Sequence, residues 1–265
     1  MKTIVITGST DGIGKLAARK LAKDQHHILI HGRNQDKIAQ TVQELKDDSK
    51  NEHVTGIFSD LSDFDSIRKM TLPMVETLSK VDVLINNAGV FKSSINRNAN
   101  NLDIRFAVNL FAPYLLTQQL LPLLKNSSSP RVINLSSAAQ SPVEVDALEG
   151  EKNLSTQEAY AQSKLALTMW SFYLARKYDY LNVIAVNPGS LLNTRMVQEA
   201  YGQYWSPADK GADILHELAL SKNYESSSGK YFDNDKGGFA KAHSDAYDVQ
   251  KIKVLIETIN QIAPL

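Results

Sequence analysis

Thr3-Ile4-Val5-Ile6-Thr7-Gly8-Ser9-Thr10-Asp11-Gly12-Ile13-Gly14 opens the chain with a short apolar run, a glycine-rich turn and the start of an amphipathic stretch. A buried parallel strand reads as a near-continuous apolar run, and an α-helix repeats its apolar positions every three to four residues. Glycine at Gly8, Gly12 and Gly14 lets the backbone turn tightly between the two elements. A phosphate group can then lie against the backbone N–H groups at the helix N-terminus. Ser9 and Thr10 add hydroxyl donors to that turn.

The same alternation continues along the chain. Apolar runs at Thr3–Thr7, Ile28–His31, Val54–Phe58, Val81–Ile85, Arg131–Leu135, Asn182–Val186 and Lys230–Phe232 predict seven strands. Helical patterns lie between the first six, near 13–24, 35–47, 63–79, 101–124 and 157–178, and two more follow near 207–221 and 245–262. Repeated strand–helix–strand units predict one α/β domain over residues 1–265. Its expected form is a doubly wound, mostly parallel seven-stranded Rossmann sheet with helices on both faces. In such sheets the ligand sits at the C-terminal ends of the strands.

Composition narrows the function. Hydrophobic residues make up 43% of the 265-residue chain, enough for a sizeable core. The 29 basic residues balance the 29 acidic ones, which gives no general reason to expect a nucleic-acid or membrane partner. The absence of cysteine excludes disulfides, thiolate catalysis and cysteine-held metals. No His, Asp and Glu grouping has metal-ligand spacing, so no metal is expected. Met1-Lys2-Thr3 runs directly into the first strand, leaving no room for a signal peptide, and no apolar run is long enough to span a membrane. A cytoplasmic location is the expectation.

Tyr160 and Lys164 lie one helical turn apart in Ala159-Tyr160-Ala161-Gln162-Ser163-Lys164. An ammonium on the same helix face favours phenolate and lowers the tyrosine's pKa, so the pair can exchange a proton with an alcohol or carbonyl oxygen. Ser155 or Thr156 is placed to cap this helix, with Glu158 in its first turn. The spacing alone is common, and a lone tyrosine on such a helix is usually a packing residue. Its meaning comes from the other motifs.

Together these motifs resemble the short-chain dehydrogenase/reductase family. The turn Thr7-Gly8-Ser9-Thr10-Asp11-Gly12-Ile13-Gly14 matches that family's TGxxxGIG. Asn86-Asn87-Ala88-Gly89 after the fourth strand matches NNAG. Asn109, Ser136-Ser137, Tyr160-x-x-x-Lys164, Asn187-Pro188-Gly189 and Thr194 follow in the family's order, and the resemblance covers about residues 3–200. It implies Tyr160 as general acid/base, Lys164 as its modulator and ribose contact, Ser137 as the substrate's hydrogen-bond partner, and Asn109 as holder of a relay water. Ser136 competes for the serine role; the family pattern favours the second serine of the pair.

The resemblance also implies cofactor contacts at Gly8, Ser9, Thr10, Gly12, Ile13, Gly14, Asn87, Ala88 and Gly89. Asp60 and Leu61 are expected at the adenine, and Pro188, Gly189 and Thr194 at the carboxamide. An NAD site usually carries a carboxylate at the end of the second strand. Here that stretch is His31-Gly32-Arg33-Asn34, where Arg33 suits a 2′-phosphate. NADP(H) is therefore the expected cofactor and NAD(H) the alternative, with Asp11 adding some repulsion toward a 2′-phosphate. His31 reads as a strand-end histidine rather than a catalyst.

Between Ser137 and Tyr160 the chain is longer than in many members of the family, through an insertion at 140–156. Retinol-dehydrogenase-like and protochlorophyllide-reductase-like members share such a spacing, and Ser228-Gly229-Lys230-Tyr231-Phe232 also resembles that branch. The insertion is expected to overhang the active site, where it contributes to substrate choice or simply covers an apolar surface. A lid at 190–206 carries Leu191, Leu192, Met196, Val197, Tyr201, Tyr204 and Trp205, which suggests a hydrophobic alcohol or carbonyl substrate. The expected activity is NADP(H)-dependent hydride transfer to or from such a substrate, with reduction the favoured direction. The alternatives are a non-catalytic NADP-binding sensor or scaffold, and C=C reduction or epimerisation on the same site. Trp170, Phe172, Tyr173 and Leu174 could bury a dimer or tetramer interface, or face the monomer's own core.

Overall fold

The computed structural model describes residues 1–265, apart from the side chain of Tyr201, so the lid expectation on that residue lies outside the described residues. Among the described residues eight strands form one sheet in the order β3-β2-β1-β4-β5-β6-β7-β8. They are β1 (Thr3–Ile6), β2 (His27–Gly32), β3 (Val54–Phe58), β4 (Val83–Asn86), β5 (Arg131–Leu135), β6 (Asn182–Asn187), β7 (Lys230–Asp233) and β8 (Gly238–Ala240). The first seven pair in parallel, and β8 returns antiparallel against β7.

The expected count of seven is therefore corrected to eight. Gly238-Phe239-Ala240 is too short and too glycine-rich to read as a strand by itself. Its pairing with β7 and the edge contact of Phe239 on Phe232 (centroids 5.3 Å apart) make it one.

Strand side chains alternate between two cores. Ile4 and Ile6 face one side and Val5 the other; Ile28 and Ile30 oppose Leu29 in the same way. On the first side lie α1 (Gly12–Lys23), α2 (Gln35–Ser49) and α9 (Asp209–Leu220). On the other side lie α3 (Phe64–Thr77), α4 (Ile104–Phe106), α5 (Ala112–Lys125), α6 (Val145–Leu148), α7 (Thr156–Lys177) and α10 (Val249–Ile262). The strand order reverses between β1 and β4, which opens a crevice at their C-terminal ends. Trp170, Phe172 and Leu174 are buried in the second core, and Tyr173 is half-buried against it.

The predicted helix at 101–124 is interrupted. Between α4 and α5 the chain widens to a π-turn at Ala107–Phe111, where Ala112 N–H bonds to the Ala107 carbonyl. Pro113 explains the change of register: it has no N–H to give the Asn109 carbonyl four residues earlier. The insertion at 140–156 carries α6, whose Ala147 and Leu148 sit in the core. Among the described residues no helix is long and apolar enough to cross a membrane.

Candidate active site

The turn after β1 is built tightly enough to explain its glycines. A Cβ on Gly14 would lie 2.4 Å from Asn87 Nδ2 and 2.6 Å from the Gly8 carbonyl oxygen. Asn87 fills that contact by donating Nδ2 to the Thr7 and Gly8 carbonyls at 2.8 and 3.0 Å. The NNAG segment thus supports the loop from below. Thr7 Oγ1 accepts from both Asn87 and Ala88 N–H at 3.0 Å. Ile13 packs toward Gly211 of α9, and Thr10 sits over Gly32.

Ser9 departs from expectation. It is fully buried, with Oγ donating to the Ile6 carbonyl at 2.7 Å and accepting from His31 N–H at 2.9 Å. Its own N–H goes to the His31 carbonyl at 2.9 Å. Both its donors are engaged by carbonyls of β1 and β2, so Ser9 is a scaffold residue rather than a hydroxyl offered to a phosphate.

His31 has a larger part than a strand-end residue. Its Nδ1 accepts from Gly8 N–H at 3.0 Å, and its Nε2 lies 3.0 Å from the Ser59 carbonyl oxygen, where it must donate. Burial pulls its pKa down to about 4, so the ring is neutral at physiological pH. This neutral imidazole joins the ends of β1, β2 and β3 beneath the loop. The sequence carried no signal for it beyond its place in β2.

At the outer edge Arg33 is exposed and makes no ion pair among the described residues. Asp11 caps α1 by accepting from Gly12 N–H at 2.8 Å and pairs with Lys37 Nζ at 2.9 Å. Burial raises the Asp11 pKa, but the Lys37 ammonium and the Gly12 N–H outweigh it and hold the carboxyl below its ordinary value. Lys37 was not foreseen as part of this corner. Asp60 is exposed and accepts from Ser62 N–H and Oγ, while Asp63 caps α3. Leu61 is buried and borders a narrow crevice with Thr7, Ala88 and Val108.

The inner end of the site gathers around α7. Ser155 caps this helix in a full capping box with Glu158. Tyr160 is half-buried, and the edge of Phe91 meets its ring at 5.0 Å between centroids. Lys164 is buried; its Nζ donates to the Leu135 carbonyl at 2.7 Å and lies 5.5 Å from the Tyr160 ring centroid. Burial pulls the Lys164 pKa down to about 8. Ser136 is buried against the same helix, bonded to Thr168 Oγ1 at 2.7 Å and to the Lys164 carbonyl at 3.1 Å. Ser137 is half-buried, and its Oγ accepts from Ala139 N–H at 3.1 Å.

Asn109 sits in the π-turn with its side chain fully used. Its Oδ1 accepts from Val90 N–H at 2.7 Å, and its Nδ2 donates to the Val90 carbonyl and to Ser163 Oγ, both at 3.0 Å. It therefore joins the NNAG segment to α7.

The segment expected to form a lid contains α8 (Arg195–Tyr201), capped by Thr194 Oγ1 accepting from Val197 N–H at 3.3 Å. Leu192 is buried and Met196 half-buried, whereas Tyr204 and Trp205 face solvent. Lys92 Nζ donates to the Glu199 carbonyl at 2.8 Å, tying the lid to the loop after β4.

Two glycines lie between the outer and inner ends. A Cβ on Gly12, at φ +53°, would meet nothing nearer than the Thr194 side chain at 3.8 Å. A Cβ on Gly89 would point between Asn109 Oδ1, Lys164 Nζ and Met196 Cε at 3.4 to 3.7 Å. Both glycines thus keep side chains out of the space between loop, lid and α7, as an extended dinucleotide requires. Elsewhere, the fold brings Asp146, Glu149 and Glu151 together with ligand atoms within 4.8 Å, a convergence their linear spacing did not show. They form a surface acidic group.

This chain belongs to the short chain dehydrogenase family, whose model matches residues 2–205. That family consists of oxidoreductases that bind a nicotinamide dinucleotide. The chain is 34% identical over 247 residues to retinol dehydrogenase 12 of Mus musculus, covering 89% of this chain and 78% of that protein. It is 31% identical over 255 residues to polyprenol dehydrogenase of Homo sapiens, covering 89% and 77% respectively. Among solved structures, a protein from Shigella flexneri described as a short chain dehydrogenase complexed with NADP is 25% identical, with a TM-score of 0.72, covering 88% of this chain and 97% of that one. An uncharacterized protein from Mycobacterium paratuberculosis shares the fold, with a TM-score of 0.80 at 24% identity, covering 99% of this chain and 93% of that one.

Proposed function

We propose that the protein is an NADP(H)-dependent oxidoreductase of hydrophobic alcohols and carbonyl compounds, with Tyr160 as its general acid/base. The observation that carries the reading is Lys164, a buried amine with pKa about 8 set 5.5 Å from the Tyr160 ring and beside Gly89. A bound nicotinamide would supply or take the hydride.

The chain's own residues would manage the oxygen. Tyr160 would give its proton to the carbonyl oxygen during reduction and recover it from the alcohol during oxidation. Below its pKa, Lys164 carries a positive charge that favours the phenolate and makes this transfer easier. Ser137 Oγ accepts from Ala139 N–H, which leaves its hydroxyl proton to donate to the same substrate oxygen. Asn109 would hold α7 to the NNAG segment. A relay water here would meet the Asn109 main-chain carbonyl, since the side chain is taken and Pro113 offers no N–H.

Phe91 against Tyr160, Met196 near Gly89 and the exposed Tyr204 and Trp205 favour a hydrophobic substrate. The retinol and polyprenol dehydrogenases among its relatives point the same way. Arg33, free of ion pairs at the end of β2, with Lys37 beside it, favours NADP over NAD.

A panel of apolar aldehydes, ketones and alcohols followed by nicotinamide absorbance tests the reading. Turnover is expected with the wild type and should fall by about 10²-fold or more in Tyr160→Phe, with NADPH binding retained. Undiminished turnover in that variant would refute the mechanism.

A further inference from the structure

We propose that Asp235, in the turn between β7 and β8, is a positioning residue for the nicotinamide end of the cofactor site. The inference rests on the dinucleotide reading above and adds to it the device that shapes the Pro188–Leu192 turn.

That turn leaves the C-terminal end of β6, where a doubly wound sheet meets its ligand. Its own contacts do not explain its shape. Leu191 adopts φ +47°, a left-handed conformation that a branched side chain disfavours, and Gly189 has φ +128°. Such a conformation persists where neighbouring structure holds it.

The hold comes from the β7–β8 turn. The Asp235 carboxylate accepts from Ser190 N–H at 2.9 and 3.1 Å, from Ser190 Oγ, and from Asn187 Nδ2 at 2.9 Å. Lys210 Nζ lies 3.5 Å from the same carboxylate. Burial pushes the Asp235 pKa up, but its bonds to Ser190 and Asn187, with the Lys210 charge, hold it below the ordinary value. The neighbouring Asn234 donates Nδ2 to the Pro188 carbonyl at 2.9 Å and to the Lys210 carbonyl at 3.0 Å, and its N–H bonds to the Asn187 carbonyl at 3.0 Å. From the other side, Trp205 N–H donates to the Leu191 carbonyl at 2.9 Å.

The turn is therefore gripped between the hairpin and the end of the lid. An ionised acceptor on a main-chain N–H and a hydroxyl together is a strong and directional restraint. Strand β8, absent from the seven-stranded expectation, is what returns the chain after this turn. The turn in question is the one expected to meet the carboxamide, whereas the adenosine end lies against other strands. Loss of Asp235 should act on one end of the cofactor and spare the other.

Calorimetric titration of the full-length protein with NADPH and with 2′,5′-ADP, which lacks the nicotinamide end, tests this. In Asp235→Ala, NADPH affinity is expected to fall about five- to tenfold, with 2′,5′-ADP affinity unchanged. Asp235→Asn, which keeps one acceptor oxygen, should recover part of the loss. If Asp235→Ala does not fold, Ser190→Ala and Asp235→Asn carry the same comparison. Unchanged NADPH affinity, or an equal loss for both ligands, would overturn the proposal. If the wild type binds NADH and not NADPH, NADH and ADP form the matched pair. If it binds no dinucleotide, the cofactor reading fails first and this inference with it.

Discussion

Lys164 Nζ donates to the Leu135 main-chain carbonyl at 2.7 Å, so α7 is fastened to the end of β5 by the same amine that is proposed to modulate Tyr160. The restraint and the charge therefore have different pH dependence. Burial lowers the Lys164 pKa from 10.5 to about 8, so the folded state binds fewer protons than the unfolded chain between those values. Stability should rise with pH over that window, with the burial cost fully present below about pH 8.

Lys164→Met removes both the charge and the hydrogen bond to Leu135. Relief of the buried charge opposes the loss of the Leu135 carbonyl's donor, so the melting temperature at pH 7 should change little. Turnover should fall by about 10²-fold or more. Thermal denaturation and steady-state kinetics on one preparation check both, and a large drop in melting temperature with intact turnover would contradict the assignment.

His31 provides an acid-sensitive point. Its pKa is lowered from 6.5 to about 4, so the unfolded chain takes up the proton first as pH falls. Stability should decline from about pH 6.5 downward and level off below about pH 4. Urea midpoints at pH 7 and pH 4.5 measure this. His31→Phe should flatten the slope while costing about 1–3 kcal/mol at pH 7, because Gly8 N–H and the Ser59 carbonyl lose their partner.

The Asp11–Lys37 pair is expected to tune cofactor choice. Asp11→Asn frees Lys37 and removes a negative charge, so the NADPH-to-NADH affinity ratio should rise about threefold, an effect that added salt weakens. Arg33→Ala should lower the same ratio about tenfold or more. Equal ratios in all three proteins would leave Arg33 as an ordinary surface cation.

Asn109→Ala should leave Val90 N–H and Ser163 Oγ without their buried partner and cost about 1–3 kcal/mol. Because it joins the NNAG segment to α7, turnover should fall more than cofactor affinity does. Comparing NADPH titration with turnover in the variant checks the order.

Local patterns were legible because their physics is local. The Gly8–Gly14 turn, the one-turn spacing of Tyr160 and Lys164, the Ser155 cap and the periodicity of β1 through β7 each follow from backbone freedom, helix pitch or side-chain alternation. The π-turn at Asn109 had a visible cause in Pro113, but its register depended on the packing of α4 and α5 around it.

Sequence by itself determined the doubly wound class, the family motifs and the order of the reacting groups, since each rests on residues close together in the chain. Tertiary structure decided what those motifs touch. It buried Ser9 and Ser136 and left Ser137 half-buried, and it made His31 a link between three strands. It also added β8, whose turn brings Asp235 to Ser190, 45 residues away in the chain. Contacts across such separations depend on which surfaces the sheet brings together, and no local spacing encodes that.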